Sequence, residues 1–297
     1  MKNRLGLHAN VWVSGWSDAE AARAIDKTAE FGFDLIEISA MAPHQMNIEL
    51  TRKRVEQAGI GVTMSLGLGA EKDISSTDPE RVRAGEAHLL DVISTARDIG
   101  ATHVCGILYS AFQKYSEPPT SAGIASSIEV MARVAEKAAA SDITLGMEVV
   151  NRYESNVINT AAQAVEYCRR VGAENVKVHL DVYHMNIEEV DAVAAIQATG
   201  DYLGYFHTGE SHRGYMGTGS IDLKSIFQAL ARIGYDGPIT YESFSSRVVG
   251  QPLTGILGIW RETWEDGEDL VNHAKMYTRS QMIAASNAIK RQSKLSW

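Results

Sequence analysis

Ile143-Thr144-Leu145-Gly146-Met147-Glu148 is an apolar run that ends on a carboxylate, and a polar loop begins immediately after it. Short runs of this composition are typical of strands that are buried on both faces. The same pattern recurs three times downstream and ends there at Asp181, His207 and Glu242. The intervals of 33, 26 and 35 residues each correspond to about one strand-plus-helix unit. The sequence therefore predicts repeated units whose strand ends meet.

Four further units of the same kind precede this stretch. The eight predicted strands span residues 4–11, 35–39, 62–67, 103–108, 143–148, 176–181, 203–207 and 238–242. Helical segments separate them and hairpin signals do not, so the connections should be parallel. Eight regular units in 297 residues favour a closed (β/α)₈ TIM barrel over an open doubly wound α/β sheet. We expect a single TIM-barrel domain over residues 1–297, with a C-terminal helical extension at about 265–291.

Composition limits the possible partners and the compartment. The formal charge of −9 argues against a general nucleic-acid or anionic-membrane surface. No apolar run approaches the length of a membrane span, and the N-terminus has no apolar core of signal-peptide length. Cys105 and Cys168 lack metal-site or redox spacing and read as buried free thiols. We therefore expect a cytoplasmic protein.

The four polar strand ends are candidates for a metal site. In a parallel barrel, functional groups gather at the C-terminal ends of the strands, and neighbouring strands lie roughly 4.8 Å apart. Glu148, Asp181 and Glu242 would raise one another's pKa values by repulsion unless a cation lay among them. Three carboxylates with the imidazole of His207 suit Mn²⁺, Mg²⁺ or Co²⁺. Zinc is possible, although structural zinc sites are usually richer in Cys and His.

Several segments near these strand ends form a specific combination. They are Gly146–Glu154 (GMEVVNRYE), His179–Asn186 (HLDVYHMN), Phe206–Gly214 (FHTGESHRG), Gly217–Gly219 with Ile221-Asp222, and Tyr241–Phe244 (YESF). With these segments, nearly the whole chain resembles the ketose 3-epimerases, the D-tagatose, D-allulose and L-ribulose 3-epimerase family of the xylose-isomerase-like TIM barrels.

The resemblance implies a cofactor, a catalytic pair and an oligomer. The cofactor is a divalent metal, most often Mn²⁺, with Co²⁺ or Mg²⁺ as alternatives, held by Glu148, Asp181, His207 and Glu242. Glu148 and Glu242 would also be the two acid/base residues. Members of the family are homodimers or homotetramers, and we expect Trp260, Trp264 and Trp297 of the C-terminal region to pack on another subunit.

The resemblance also implies substrate contacts. Glu154, His184 and Arg213 match residues that contact the substrate oxygens near C1 to C3. His8 stands where relatives often carry an aromatic residue, and we expect it to make the substrate pocket more polar. Trp16, Leu68 and Phe112 are predicted to form the wall around C4 to C6.

The chemistry of the implied reaction can be argued independently. Inverting a carbon next to a ketone requires removal of a weakly acidic C–H proton and return of a proton to the opposite face. Two carboxylates on opposite faces can do this, and a metal can stabilise the cis-enediolate that forms between the two steps. Substrates would be free ketoses of the D-tagatose/D-sorbose, D-fructose/D-allulose or L-ribulose/L-xylulose type.

Other functions stay open at this point. An aldose–ketose or hydroxypyruvate-type isomerase, or a polyol dehydratase, could use the same barrel. A nuclease of the endonuclease IV type would need more histidines and a basic groove than the chain offers. A non-catalytic sugar-binding barrel is a further alternative. Gly217-Thr218-Gly219 could be a phosphate cradle, but so short a glycine pattern is weak evidence, and we interpret it as a tight turn.

Overall fold

Eight parallel strands close into a barrel in chain order. The structure is a computed structural model that describes residues 1–295, with side chains through residue 291. The strands are β1 (Leu5–His8), β2 (Leu35–Ser39), β3 (Gly61–Leu68), β4 (His103–Ala111), β5 (Thr144–Glu148), β6 (Val176–Asp181), β7 (Leu203–Thr208) and β8 (Ile239–Tyr241). β8 pairs with β1, which completes the ring. The predicted (β/α)₈ architecture is confirmed.

Helices follow the strands and form an outer layer. They are α1 (Asp18–Glu30), α2 (Ile48–Ala58), α3 (Pro79–Ile99), α4 (Ser121–Ala139), α5 (Ala161–Val171), α6 (Val182–Glu188), α7 (Ala192–Thr199), α8 (Leu223–Arg232), α9 (Leu253–Leu257) and α10 (Gly267–Leu295). The expected C-terminal helical extension is confirmed as α10.

Local sequence signals explain where the helices begin and end. Ser17 and Glu20 form a capping box at the start of α1, in which each side chain accepts a hydrogen bond from the other residue's backbone N–H. Gly100 ends α3 in the left-handed conformation, and its N–H donates to carbonyls of the last turn. Such ends fix the helix lengths, so each following strand enters the barrel at a defined register.

The barrel has an apolar outer core and a polar centre. Leu7, Ile36 and Val104 are fully buried, as expected when helices cover the outer face of a parallel sheet. Glu37 and Tyr205 are also fully buried and hydrogen-bond to each other across the barrel interior. Packing of apolar strand faces against helices stabilises the fold, while the polar centre lies beneath the C-terminal ends of the strands.

Two strands end earlier than the sequence predicts. β1 stops at His8 because the Nδ1 atom of this residue accepts from the Asn10 N–H and caps a 3₁₀ turn at Ala9–Val11. β8 covers only Ile239–Tyr241, so Glu242 lies just beyond it, where its N–H still donates to the Thr208 carbonyl at 3.0 Å. His8 is therefore the last residue of its strand, and Glu242 follows the end of β8.

The expected subunit contact through three tryptophans is wrong for Trp264. This residue is buried within its own chain, and its Nε1–H donates to Ser243 Oγ at 2.8 Å. Trp260 is 75% exposed and stays available for a contact. Trp297 lies outside the described residues.

Cys105 and Cys168 are buried free thiols, as predicted. Among the helices of residues 1–295, none is both long and apolar enough to cross a membrane.

Gly106 in β4 offers a test of how tightly the barrel packs. Its φ is +112°, and a Cβ there would lie 2.1 Å from the Leu66 carbonyl oxygen. Backbone strain and this clash together lead us to expect that Gly106→Ala lowers the free energy of unfolding by about 2–5 kcal/mol. Gly172 also has positive φ, but no described atom lies within 4 Å of its would-be Cβ. Gly172→Ala should lower the free energy of unfolding by about 1–2 kcal/mol. Urea unfolding measures both losses, and equal losses in the two variants would contradict the predicted clash at Gly106.

Candidate active site

The register of the last four strands places the predicted ligands side by side. Glu148 ends β5 and Asp181 ends β6. Asp181 lies opposite His207 of β7, and His207 lies opposite Thr240 of β8, two residues before Glu242. Since parallel strands all point their C-terminal ends to the same rim, the four side chains converge there.

The four side chains meet around the Nδ1 atom of His207. This nitrogen lies 3.5 Å from Asp181 Oδ2, 3.6 Å from Glu242 Oε1 and 3.8 Å from Glu148 Oε1. One ligand atom each from Asp181, His207 and Glu242 lies within 4.8 Å of the others. The structure therefore brings the four predicted metal-site residues together, and their binding of a metal stays a prediction.

The donor set fits a divalent cation. His207 Nδ1 is buried and has no hydrogen-bond partner among the described residues. The other ring nitrogen, Nε2, lies 2.8 Å from Glu37 Oε2, an acceptor, so it carries the hydrogen. Nδ1 faces three carboxylates. Burial lowers the pKa of His207, but the Glu37 and Glu242 carboxylates outweigh it and raise this pKa well above its ordinary value, so positive charge is favoured at this position. A divalent cation would replace the proton on Nδ1 and balance the carboxylates, so these residues suit a hard or borderline metal ion.

Burial perturbs Glu148 in the way expected for a crowded acidic site. Desolvation raises the pKa of Glu148 well above its ordinary value, and the neighbouring Glu242 and Asp181 carboxylates raise it further, while His207 opposes them. A metal cation at His207 Nδ1 would also lower the pKa of Glu148 and favour its carboxylate form.

Asn151 fixes two of the predicted substrate-binding residues. Its backbone N–H donates to His184 Nδ1 at 3.1 Å, and its side-chain amide donates to Glu154 Oε1 at 2.9 Å. Because His184 Nδ1 accepts, Nε2 carries the hydrogen, 3.8 Å from Glu148 Oε1 and 3.9 Å from Glu154 Oε2. His184 is thus set as a hydrogen-bond donor facing the cluster.

Arg213 reaches the cluster from the loop after β7. Its backbone lies in the left-handed region (φ 57°), and its Nη1 pairs with Glu242 Oε2. The guanidinium carbon lies 4.0 Å from the ring centre of Tyr183 and 4.9 Å from that of Phe244. Stacking between two aromatic faces holds the cation in place by cation–π attraction. Arg213 Nη2 also lies 3.5 Å from His184 Nε2, so the arginine and this histidine share one side of the site.

His8 ends β1 and lines the same cleft as His184. Its Nδ1 accepts from the Asn10 N–H at 3.3 Å, so its Nε2 carries the hydrogen. Nε2 lies 3.4 Å from Ser65 Oγ and 3.9 Å from Glu242 Oε1, and the ring packs edge-on against Phe244. His8 is therefore a polar group in the cleft, as predicted.

Glu148, His207 and Glu242 border one cleft with about 550 Å³ of empty space, including its open mouth. The predicted contacts Glu154, His184, Arg213 and His8 all line it. Phe112 also lines the cleft, as predicted, but Leu68 is wrong because it is fully buried in the core. Trp16 lines an adjoining cavity instead. Other residues of the cleft wall are Ser39, Met41, Ser65, Phe244, Leu253 and Leu257.

The glycine-rich turn after β7 is filled by an internal carboxylate. Glu210 is fully buried, and its side chain accepts from the Gly217 N–H at 2.9 Å and the Ser211 N–H at 2.8 Å. A Cβ on Gly219 would lie 2.4 Å from Glu210 Oε1. The glycine is thus required by a carboxylate of the chain itself, which agrees with a tight turn.

Sequence reasoning missed several residues that organise the site. Glu37 is a charged residue within an otherwise apolar strand, which indicates a buried polar contact, but the neighbouring sequence does not identify His207 as its partner. Asn151 stands three residues before Glu154 in the loop after β5 and could have been noticed there. Tyr183 and Phe244 each lie two residues beyond a predicted ligand, yet their stacking on Arg213 depends on the three-dimensional fold.

Comparison with known proteins gives consistent matches over nearly the full chain. The chain is 46% identical to a ketose 3-epimerase of Arthrobacter globiformis over 95% of its own length and 97% of that protein. It is 43% identical to an L-ribulose 3-epimerase of Methylomonas sp., covering 91% and 94% of the two chains. A crystal structure of D-allulose 3-epimerase from Methylomonas sp. in complex with D-allulose superimposes with a TM-score of 0.92 at 41% identity. That match covers 94% of this chain and 97% of the other.

The sequence model of the xylose isomerase-like TIM barrel family matches residues 25–271. Together with the similarity to ketose 3-epimerases over more than nine-tenths of both chains, this confirms the resemblance expected from the sequence. The chain belongs to the xylose isomerase-like TIM barrel family and, within it, to the ketose 3-epimerases.

Proposed function

We propose that this protein is a metal-dependent ketose 3-epimerase that interconverts free ketoses. The observation that carries the proposal is the buried Nδ1 atom of His207, which has no hydrogen-bond partner among the described residues and lies among Glu148, Asp181 and Glu242. A bound divalent cation, Mn²⁺ in our proposal with Co²⁺ or Mg²⁺ as alternatives, would stabilise negative charge on adjacent substrate oxygens. Two of these carboxylates, Glu148 and Glu242, are our candidates for the proton transfers.

The two glutamates approach the cluster from β5 and from the end of β8, with β6 and β7 between them. One carboxylate would remove the C3 proton from one face of the substrate, and the other would return a proton to the opposite face. Glu242 keeps its Oε2 on Arg213 while Oε1 faces the cluster, which fixes the direction of the carboxylate. Arg213 thus both orients a proposed acid/base group and supplies positive charge.

Donors suited to the oxygens at C1 to C3 surround the cluster. The Nε2–H of His184 and the guanidinium of Arg213 face the same space as Glu154. When negative charge develops on the substrate oxygens during C3 proton removal, fixed donors of this kind lower its energy without reorganising. His8 and Ser65 would meet the distal part of the sugar with polar groups, while Met41, Phe112 and Leu253 border the cleft with apolar surface.

Free ketoses are preferred over phosphorylated ones in this proposal. Similar proteins include a ketose 3-epimerase and an L-ribulose 3-epimerase, and one similar solved structure is a complex with D-allulose. In this chain the backbone N–H groups of Ser211 and Gly217, which could bind a phosphate, are occupied by Glu210. The turn therefore has its own anion and offers those donors to no other.

Three further expectations remain proposals. We propose that residues 1–297 form one domain, and limited proteolysis tests this. We also propose that the protein works in the cytoplasm, and fractionation of the source cells tests that. We also propose a homodimer or homotetramer, to which the exposed Trp260 could contribute. The native mass measured by light scattering tests this, and a monomer would contradict it.

Hydrogen exchange separates epimerisation from isomerisation. With Mn²⁺ and a free ketose in D₂O, we expect deuterium at C3, because the proposed carboxylate gives back a proton that has exchanged with solvent. Mass spectrometry and proton NMR of the recovered sugars give the position of the label. Labelling at C1 alone would identify an aldose–ketose isomerase instead, and loss of water to an ultraviolet-absorbing product would identify a dehydratase.

Glu148→Gln and Glu242→Gln test the two proposed proton-transfer groups. Each should lower kcat by roughly 10²–10⁴-fold, because an amide cannot take or give the proton. Glu129→Gln, an exposed position on α4, is the control and should keep wild-type turnover. Circular dichroism of each variant checks the fold. Wild-type turnover by either site variant would rule out the two-carboxylate mechanism.

Chelation tests the proposed metal dependence. Treatment with EDTA followed by gel filtration should abolish epimerisation, because the three carboxylates would then repel both one another and the developing substrate charge. Added Mn²⁺ or Co²⁺ should restore turnover, measured as ketose products resolved by chromatography. Full activity of a protein shown by elemental analysis to be metal-free would contradict the proposal.

A further inference from the structure

Glu37 is a fully buried carboxylate in the middle of β2, beneath the proposed metal site and outside the wall of the substrate cleft. Its Oε2 lies 2.8 Å from His207 Nε2 and also accepts from the Tyr205 hydroxyl at 2.8 Å. A charged group in the barrel interior is costly unless it is hydrogen-bonded. The chain nevertheless places one here, in direct contact with His207.

A hydroxyl network from three other strands fixes the orientation of Glu37. The Tyr205 hydroxyl of β7 lies 2.8 Å from Thr63 Oγ1 of β3 and 2.7 Å from Thr240 Oγ1 of β8. Because Tyr205 gives its only hydroxyl proton to Glu37, the two threonines donate to its oxygen. Together with β2, which carries Glu37, four of the eight strands thus hold one carboxylate oxygen in place.

This arrangement determines which nitrogen of His207 is free. With Nε2–H committed to Glu37 Oε2, the neutral ring that binds a metal has its lone pair on Nδ1, which faces Asp181, Glu148 and Glu242. The opposite tautomer would place a hydrogen where the cation should be and leave a lone pair facing the Glu37 carboxylate. A carboxylate behind a metal-binding histidine also makes the imidazole a stronger donor.

We propose that Glu37 is a positioning residue that holds His207 in the Nε2–H tautomer and thereby sets the affinity of the site for its divalent cation. The inference rests on the proposed metal site and adds a residue that touches neither the cation nor the substrate. Removing the charge of Glu37 should therefore weaken metal binding directly, before any turnover is measured.

Glu37→Gln tests the inference, because glutamine keeps the shape and a hydrogen-bond acceptor but loses the charge. Metal-free protein is titrated with Mn²⁺, and the free ion is measured by electron paramagnetic resonance. We expect the Mn²⁺ dissociation constant to rise roughly 10–100-fold. Circular dichroism and thermal unfolding of the metal-free variants show whether each one is folded.

Thr63→Val is the matched control. It removes a hydroxyl from the same buried network but leaves the contact between Glu37 and His207 intact. It should bind Mn²⁺ with close to wild-type affinity even if its unfolding temperature falls. Equal weakening in both variants would mean that the network acts only through packing and would overturn the inference.

The outcomes also separate this inference from the proposed function. If wild-type protein binds Mn²⁺ and Glu37→Gln binds it equally well, the role of Glu37 is refuted while the metal site stands. If wild-type protein does not bind Mn²⁺, Co²⁺ or Mg²⁺, the proposed metal site itself fails, and the role of Glu37 fails with it.

Discussion

Repulsion among buried carboxylates is the constraint on which the rest of this site depends. Oxygens of Asp181 and Glu242 lie within 4.8 Å of each other beside His207. At this separation two unit charges repel by about 3 kcal/mol when the effective dielectric constant is about 20. A third carboxylate, Glu148, adds to this cost. The barrel can hold such a cluster because Glu148, Asp181 and His207 lie on three different strands and Glu242 directly follows a fourth, to which its backbone remains tied by the hydrogen bond to Thr208.

Glu242 and Glu148 lie in different electrostatic surroundings. Glu242 has one oxygen on Arg213 and the other facing His207 Nδ1. Glu148 has no arginine partner among the described residues, and burial keeps its pKa raised. The two proposed acid/base groups are therefore unequal in this structure, and the charge balance on Glu148 depends on a cation more strongly than that on Glu242.

The sequence predicts polar residues at the C-terminal rim of the barrel better than polar contacts in its interior. Glu148, Asp181 and His207 were predictable because each stands at or next to the end of an apolar run, and the fold converts that position into a shared location. Leu68 ends β3 as part of an apolar run, and the sequence does not show whether such a residue faces the cleft or the core. In the structure Leu68 is fully buried in the core.

The roles of Glu37 and Glu210 could not be predicted from the sequence, because they depend on contacts that form only in the folded chain. A carboxylate within an apolar strand shows that a buried partner must exist, but that partner, His207, is 170 residues away. Glu210 precedes a glycine-rich turn that could be read as a phosphate cradle, and only the fold shows that the carboxylate occupies the turn's own N–H groups. Glu210 also supports the backbone of Arg213. Because the backbone carbonyl of Glu210 accepts from the Arg213 N–H at 2.8 Å, the filled turn also helps to hold the left-handed residue whose side chain pairs with Glu242. The glycine pattern is thus part of the support for the candidate catalytic centre.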